Sequence, residues 1–395
     1  MFLSRYKGLC AGVALSVVMA GCSSKNSDEK GPQKPTTVGE DKLQLTQTRT
    51  NLFNCLKNIK DGSFIQSVIS TTGLKDGDFA NETWLNDLSD AMDNAFVGVE
   101  LDNESRFDFA HWAGKYTYNA TTKAFEKTAS ADIVVTFPSS PAAGKNDYVF
   151  TITGYKDAKF QVNMENIYLP TACKASLTKD GTTLFSLDYT GSFSAGSFPI
   201  PQAVQLKLSL KPHDYLIKVN KITNTQFAAV VELQSGSDCV TAFNGKVSFA
   251  NEDYNNLSLS EDLVSVEGLL EKGSLNVKGS WDAKKYYKLP TYKAADINST
   301  ISIFGYNGTD KTSEFRYKDN ASGGYDLYVF YKDQTSDLAT VYSDPFIADL
   351  KGMLKPYFGT DVDSWFEMRA KSQGSFSKKI TKIKNTLSDW VNKTK

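Results

Sequence analysis

The chain is poor in the residues from which most catalytic and metal sites are built. Among 395 residues there are only 2 histidines and 5 cysteines. His111 and His213 stand without His, Cys or carboxylate neighbours at ligand spacing, so the sequence encodes no zinc motif. No G-x-S-x-G elbow accompanies either one, which leaves His-assisted nucleophilic catalysis without its usual partners. The glycine-containing stretches "GSFSAGSFPIP" and "ASGGYD" lack the spacing and the lysine of a phosphate cradle. An excess of one charge is also missing: 44 Lys and Arg face 45 Asp and Glu, for a formal net charge of −1. That balance offers a polyanion nothing to grip, so nucleic acid is not expected as a partner. No cofactor or metal is expected either.

Long apolar runs are absent after residue 21, but the N-terminus carries a short one. Arg5 and Lys7 precede an apolar stretch from Gly8 to Gly21, and polarity switches sharply after Cys22. These are the three parts of a signal peptide over residues 1–21. A helix of that stretch would rise only about 21 Å, short of a hydrocarbon core of about 30 Å. The four residues Met19-Ala20-Gly21-Cys22 resemble a bacterial lipobox, with Met19 where leucine is usual. The resemblance implies that Cys22 is acylated and becomes the first mature residue, held on a membrane by its acyl chains. The following "SSKNSDEKGPQKPTTVGED" is too polar to bury a core and reads as a flexible tether over residues 22–40. Its Asp28-Glu29 pair, with Lys25 just upstream, resembles the export signal of Bacteroidota-type outer-membrane lipoproteins. That likeness implies a cell-surface position rather than a periplasm-facing one.

Beside Cys22, the mature chain keeps Cys55, Cys173 and Cys239, so at most one disulfide forms among these three. The expected pair is Cys173 with Cys239, both in predicted strands. The alternative is that all three are small buried apolar residues.

Residues 41–104 read as helical. Leu45, Leu52, Leu56 and Ile59 share one stripe before a stop at Gly62, and Asn81 stands as N-cap to a helix carrying Trp84, Leu88, Ala91 or Met92, and Phe96. Over residues 105–342 the period changes to two. "QAVQLKLSL" sets Val204, Leu206, Leu208 and Leu210 against Gln205, Lys207 and Ser209, and "QFAAVVEL" and "SLNVKGSW" alternate likewise. Asp180-Gly181, Asn244-Gly245 and Asn307-Gly308 read as hairpin turns. Clean alternation predicts an antiparallel sheet with one wet and one dry face, the dry face covered by the N-terminal helices. Residues 343–395 read as helical again, starting after Pro345 and ending in a helix with Phe376, Ile380, Ile383, Leu387 and Trp390 on one side. Its lysines, Lys378, Lys379, Lys382 and Lys384, read as a solvated face.

The expected fold is therefore α+β: N-terminal helices on a long, curved, mostly antiparallel sheet resembling a half-barrel, then C-terminal helices. The segment "LPTACKASLTKDGTTLFSLDYTGSF" and the strands after it are similar to cell-surface lipoproteins of the same Bacteroidota type, a likeness of strand rhythm that implies a fold and no activity.

Two places invite a chemical reading. "GTDVDSW" sets Asp361 and Asp363 beside Trp365, as a carboxylate-dependent glycosidase would need, although capping aspartates at a helix start explain it as well. "WDAKKYYKLPTY" gathers Trp281, Tyr286, Tyr287 and Tyr292, aromatics able to stack on a sugar ring or to fill a sheet. The functional expectation is a lipid-anchored envelope protein without catalysis, binding or structural in role, with a hydrophobic ligand enclosed between helices and sheet. The alternative is a surface glycan-binding accessory protein or a glycosidase.

Overall fold

A computed structural model describes residues 36–96, 106–162, 165–195, 199–236, 239–359 and 362–393. The signal segment, Cys22, the tether through residue 35 and Asp361 lie outside the described residues.

The first helix, α1 (Val38–Lys60), starts three residues before the expected boundary. Its start is fixed by a capping box: the Thr37 hydroxyl accepts from the Glu40 N–H while the Glu40 carboxylate accepts from the Thr37 N–H at 2.7 Å. Leu45, Leu52 and Cys55 form its buried stripe. Gly62 then allows close approach to the sheet, since a Cβ there would stand 2.7 Å from the Lys211 carbonyl oxygen. A second helix, α2 (Ser63–Thr72), follows directly. A two-stranded ribbon, β1 (Leu74–Lys75) and β2 (Asp78–Phe79), leads to α3 (Glu82–Ala95). Asn81 occupies the cap position, but its side chain donates to the Thr71 carbonyl at 2.9 Å and ties the two helices together instead of capping.

A single turn, α4 (Phe109–Trp112), opens the β region. Among the described residues the sheet has 16 strands, β3 to β18, and is open. It begins with β3 (Gly114–Asn119), β4 (Ala124–Thr128) and β5 (Ile133–Phe137), where β3 and β5 pair in parallel. From there every strand lies beside its sequence neighbour: β6 (Tyr148–Val162), β7 (Glu165–Lys179), β8 (Thr182–Phe193), β9 (Pro201–Leu210), β10 (His213–Thr223), β11 (Gln226–Ser235) and β12 (Cys239–Phe249). The meander continues with β13 (Leu263–Lys272), β14 (Leu275–Asp282), β15 (Ile301–Asn307), β16 (Asp310–Asp319), β17 (Tyr325–Tyr331) and β18 (Ser336–Leu338). Short helical turns interrupt it at α5 (Leu259–Asp262), α6 (Ala283–Tyr286) and α7 (Ala294–Asn298). The α+β reading and the antiparallel sheet are what the chain adopts.

Register puts the apolar residues on one face. Leu206 pairs with Ile217, Ile217 with Val231, Val231 with Phe243, Phe243 with Leu270, and Leu270 with Val277. The opposite face carries Lys207, Glu232, Lys246, Glu267 and Lys278. Helices cover only part of the apolar face. At one end, Leu45 of α1 and Tyr342 of α8 (Thr340–Phe358) pack on Leu270, Leu275, Val277, Phe315 and Val329. At the other, α3 packs Met92, Ala95 and Phe96 near Trp112, Tyr116, Ile133 and Val135. Between these cores, over β7 to β12, most side chains are half-buried on both faces. Ile217 and Val231 are 39% and 42% exposed. The clean wet and dry faces expected from the alternation are therefore replaced by a single layer of sheet, because α1 and α2 cross the strands only near one end.

Several local expectations change. Asp180-Gly181 does form the β7–β8 turn, with φ positive at both residues, and Gly308 sits in the β15–β16 turn. Asn244-Gly245 instead lies in mid-strand, paired with Leu269-Gly268. The disulfide is Cys55–Cys239, not Cys173–Cys239: β7 and β12 are five strands apart, whereas α1 lays Cys55 over the start of β12. Cys173 is free. The helix expected after Pro345 begins at Thr340 and contains that proline. Two further helices, α9 (Val362–Lys371) and α10 (Ser375–Lys393), close the chain. Phe376 and Ile380 pack with Phe79, Trp84 and Leu85, so the first turns of α10 seat against helices and the ribbon, while the side chains of Ile383, Leu387 and Trp390 lie outside the description.

Candidate functional site

Three adjacent strands place glycine where the alternation calls for an apolar side chain: Phe243-x-Gly245-x-Val247, Val266-x-Gly268-x-Leu270 and Val277-x-Gly279-x-Trp281. Pairing sets Gly245 opposite Gly268, and Gly268 opposite Gly279. A strand glycine weakens the strand and commonly marks a place where something approaches the backbone closely. Here the approaching group is partly the protein's own. The Phe243 ring lies over the trough, with Cε1 3.0 Å from where a Gly245 Cβ would stand and Cε2 3.1 Å from a Gly268 Cβ. Gly279 has nothing nearer than Ile303 at 3.8 Å.

Beyond Phe243 the trough widens into an open groove of about 430 Å³. Its walls are Ile200, Pro201, Val219, Phe227, Phe249, Tyr254 and Val266, and Ala229 with Gly245 form part of the floor. Phe227, Phe249 and Tyr254 form one edge-to-face triad with ring centroids 5.7 to 6.2 Å apart. The Tyr254 hydroxyl donates to the Asn224 carbonyl, and burial pushes its pKa up, so it stays neutral. Lys246 and Glu267, whose backbones border the groove, pair with each other at 3.1 Å on the opposite face. The groove thus offers shape and apolar surface, with no acid, base or nucleophile.

The predicted aromatics stand one strand away, since Trp281 pairs with Val266 of the groove wall. Trp281, Tyr286, Tyr287 and Tyr292 do come together, with centroids 5.4 to 6.0 Å apart. Their planes are inclined at 53° to 82°. They form a folded cluster with Tyr292 at its exposed edge, and the rings do not line up as a flat platform.

The other expected residues serve the fold. Trp365 is 4% exposed and donates its indole N–H to the Gly77 carbonyl. His213 is 1% exposed, and burial pulls its pKa below the ordinary histidine value. His111 is exposed on α4. Two carboxylates do converge, unannounced by any local motif: Asp41 and Asp310 both accept from the Thr36 hydroxyl. Burial pushes Asp41 up, while Lys332 holds Asp310 down. Asp41 is only 2% exposed, so no substrate reaches it; the pair ties the start of α1 to β16. No group of three or more His, Cys, Asp or Glu able to hold a metal occurs among the described residues.

A second depression of about 640 Å³ lies on the polar face over β6 to β11. It holds three lysines, Lys174, Lys207 and Lys211, against three carboxylates, Asp188, Asp214 and Glu232. Lys174 and Asp188 pair across strands at 3.8 Å. These charges balance across neighbouring strands and brace the single layer.

Compared with known protein families, curated proteins and solved structures, the chain matches none. The site therefore rests on its own geometry. Sequence reading missed the groove because Asn244-Gly245 looks like a turn. The available signal was the glycine at the apolar phase of three successive strands.

Proposed function

We propose that this is a lipid-anchored protein of the cell envelope, held at the outer membrane through acylated Cys22 and facing the cell surface. In this reading it is not an enzyme: it binds a hydrophobic ligand of acyl-chain type along the apolar groove beside Phe243. The observation that carries the binding role is the groove itself, an uncharged apolar trough left open where the helices stop. The space beneath the helices is filled by Leu45, Leu270, Leu275 and Val277, so the ligand lies beside the helical layer rather than enclosed under it.

Burying on the order of 200 Å² of apolar surface contributes about 5 kcal/mol. Even before the costs of association this corresponds to a Kd of roughly 200 μM, so binding is weaker than that per chain. Titration with a fluorescent fatty acid tests the role. Wild type should bind saturably, and Ala229→Trp, which fills the floor, should weaken binding about tenfold or more. Equal binding by the two proteins would refute the groove. The anchor is tested separately: Cys22→Ala should abolish palmitate incorporation and move the protein from the membrane to the soluble fraction, and protease shaving of intact cells should remove the wild-type domain.

A further inference from the structure

Among the described residues, one covalent bond joins the helical layer to the sheet: the disulfide between Cys55, in the second half of α1, and Cys239, the first residue of β12. Lys272, the last residue of β13, places its Nζ 3.7 Å from Cys55 Sγ. Lys272 is 3% exposed, and none of the described carboxylates pairs with it. Enclosing an ammonium without a counter-ion is costly, so burial holds this amine toward its neutral form while the disulfide is intact. On the elements that meet here, Glu40 and Asp41 of α1 bond Thr37 and Thr36, Asp214 of β10 pairs with Lys211, and Glu267 of β13 pairs with Lys246; Arg49 of α1, His213 of β10 and Glu271 of β13 also stand on them. His213 is itself buried, and Glu271 is turned to the opposite face, where it accepts from Asn244 at 3.2 Å. None of these supplies Lys272 with an anion. Reduction of the disulfide supplies one.

We propose that Cys55–Cys239 is a reversible thiol–disulfide exchange site, and that Lys272 is the positioning residue that favours its reduced form. The reductant is an external thiol. Its thiolate attacks one sulfur, the Cys55–Cys239 bond breaks, and a second thiol resolves the mixed disulfide. Two electrons pass to the protein and the two reductant thiols leave as their own disulfide. Of the two protons delivered, one rests on the Cys239 thiol and the other on Lys272 Nζ, leaving Cys55 as a thiolate beside an ammonium. The reduced state thereby holds a charge-assisted pair where the oxidised state holds a lone buried amine.

Both sulfurs are shielded, with Cys55 5% and Cys239 4% exposed, so exchange waits for the last turns of α1 to lift. The first half of the helix has its own attachments: Lys42 to Asp337 at 3.0 Å, Gln44 to Ser274 at 3.1 Å, and Leu45 in the core. The disulfide therefore governs the second half, and its reduction loosens the cover over this end of the apolar face.

The test uses the mature chain equilibrated in thiol–disulfide buffers at pH 7, with the reduced fraction read by mass after alkylation. Lys272→Met should lower the equilibrium constant for reduction at least tenfold, equivalent to about 30 mV for a two-electron couple. Lys272→Arg, which keeps a cation, should restore most of it. In a Cys239→Ser background, the pH midpoint for Cys55 alkylation should lie below the free-cysteine value of about 8.5 and rise when Lys272 is also replaced by Met. A purely structural lysine would change stability and leave both readouts unmoved. Equal reduction constants within twofold, or an unmoved alkylation midpoint, would overturn the proposal.

Discussion

Lys272 stands out among single residues because its environment works against its charge. Burial pushes its pKa down to about 7, against about 10.4 in an unfolded chain. Between those values the unfolded chain binds the proton and the folded chain does not, so stability rises with pH across that window. Below about 7 both states are protonated and the full penalty applies. Lys272→Met should therefore raise the unfolding free energy at pH 7 by about 2 to 4 kcal/mol and flatten its rise toward pH 10, as read from urea midpoints. His213 acts in the same direction at lower pH. Its folded pKa is depressed by burial, so its contribution is complete above about 6.5 and is lost as pH falls through the folded value. Replacing it with phenylalanine should reduce the loss of stability between pH 7 and pH 5, measured by the same midpoints.

Secondary elements show how the same apolar alternation yields two different environments. Leu275 and Val329, under α1 and α8, are 2% and 0% exposed, whereas Ile217 and Val231 on the uncovered strands are far more open. Leu275→Ala should cost about 2 to 4 kcal/mol, and Ile217→Ala under about 1 kcal/mol. Comparable losses at both positions, measured by denaturant unfolding, would contradict a single-layer middle. This contrast also marks how far the sequence could be read. Period two in "QAVQLKLSL" and "QFAAVVEL" announced antiparallel strands correctly, because register depends on each strand and its neighbours. What covers a strand depends on helices far away in sequence, and no local pattern reports that. The helix starting at Thr37-x-x-Glu40 was legible as a capping box yet hidden inside a polar stretch. The C-terminal helix was misplaced because Pro345 is accommodated within its second turn, although proline commonly opens a helix. At the site, the aromatic cluster was readable from composition, but the groove was not, since Gly245 acts through its pairing with Gly268 across the sheet.

At the scale of the whole molecule, the Cys55–Cys239 bond closes a separation of 184 residues. In the loop-closure limit such a crosslink contributes about 5 kcal/mol, an upper bound that native contacts in the unfolded chain reduce. Cys239→Ser should lower the melting temperature and speed hydrogen exchange in residues 50–60, while the core around Val329 keeps its protection. The pairing was missed because two strand cysteines look like better partners than one on a helix, until the strand order separates them.

The sequential strand order sets a timetable for a chain delivered N-terminus first to the place where it folds. From β6 onward, each new hairpin can add to the edge just completed, which keeps most pairing short in sequence. The first helix is different: Leu45 must wait for Phe315 and Val329 before its resting place exists. The earliest segment made is thus among the last to settle, and until then its apolar stripe stays available to chaperones.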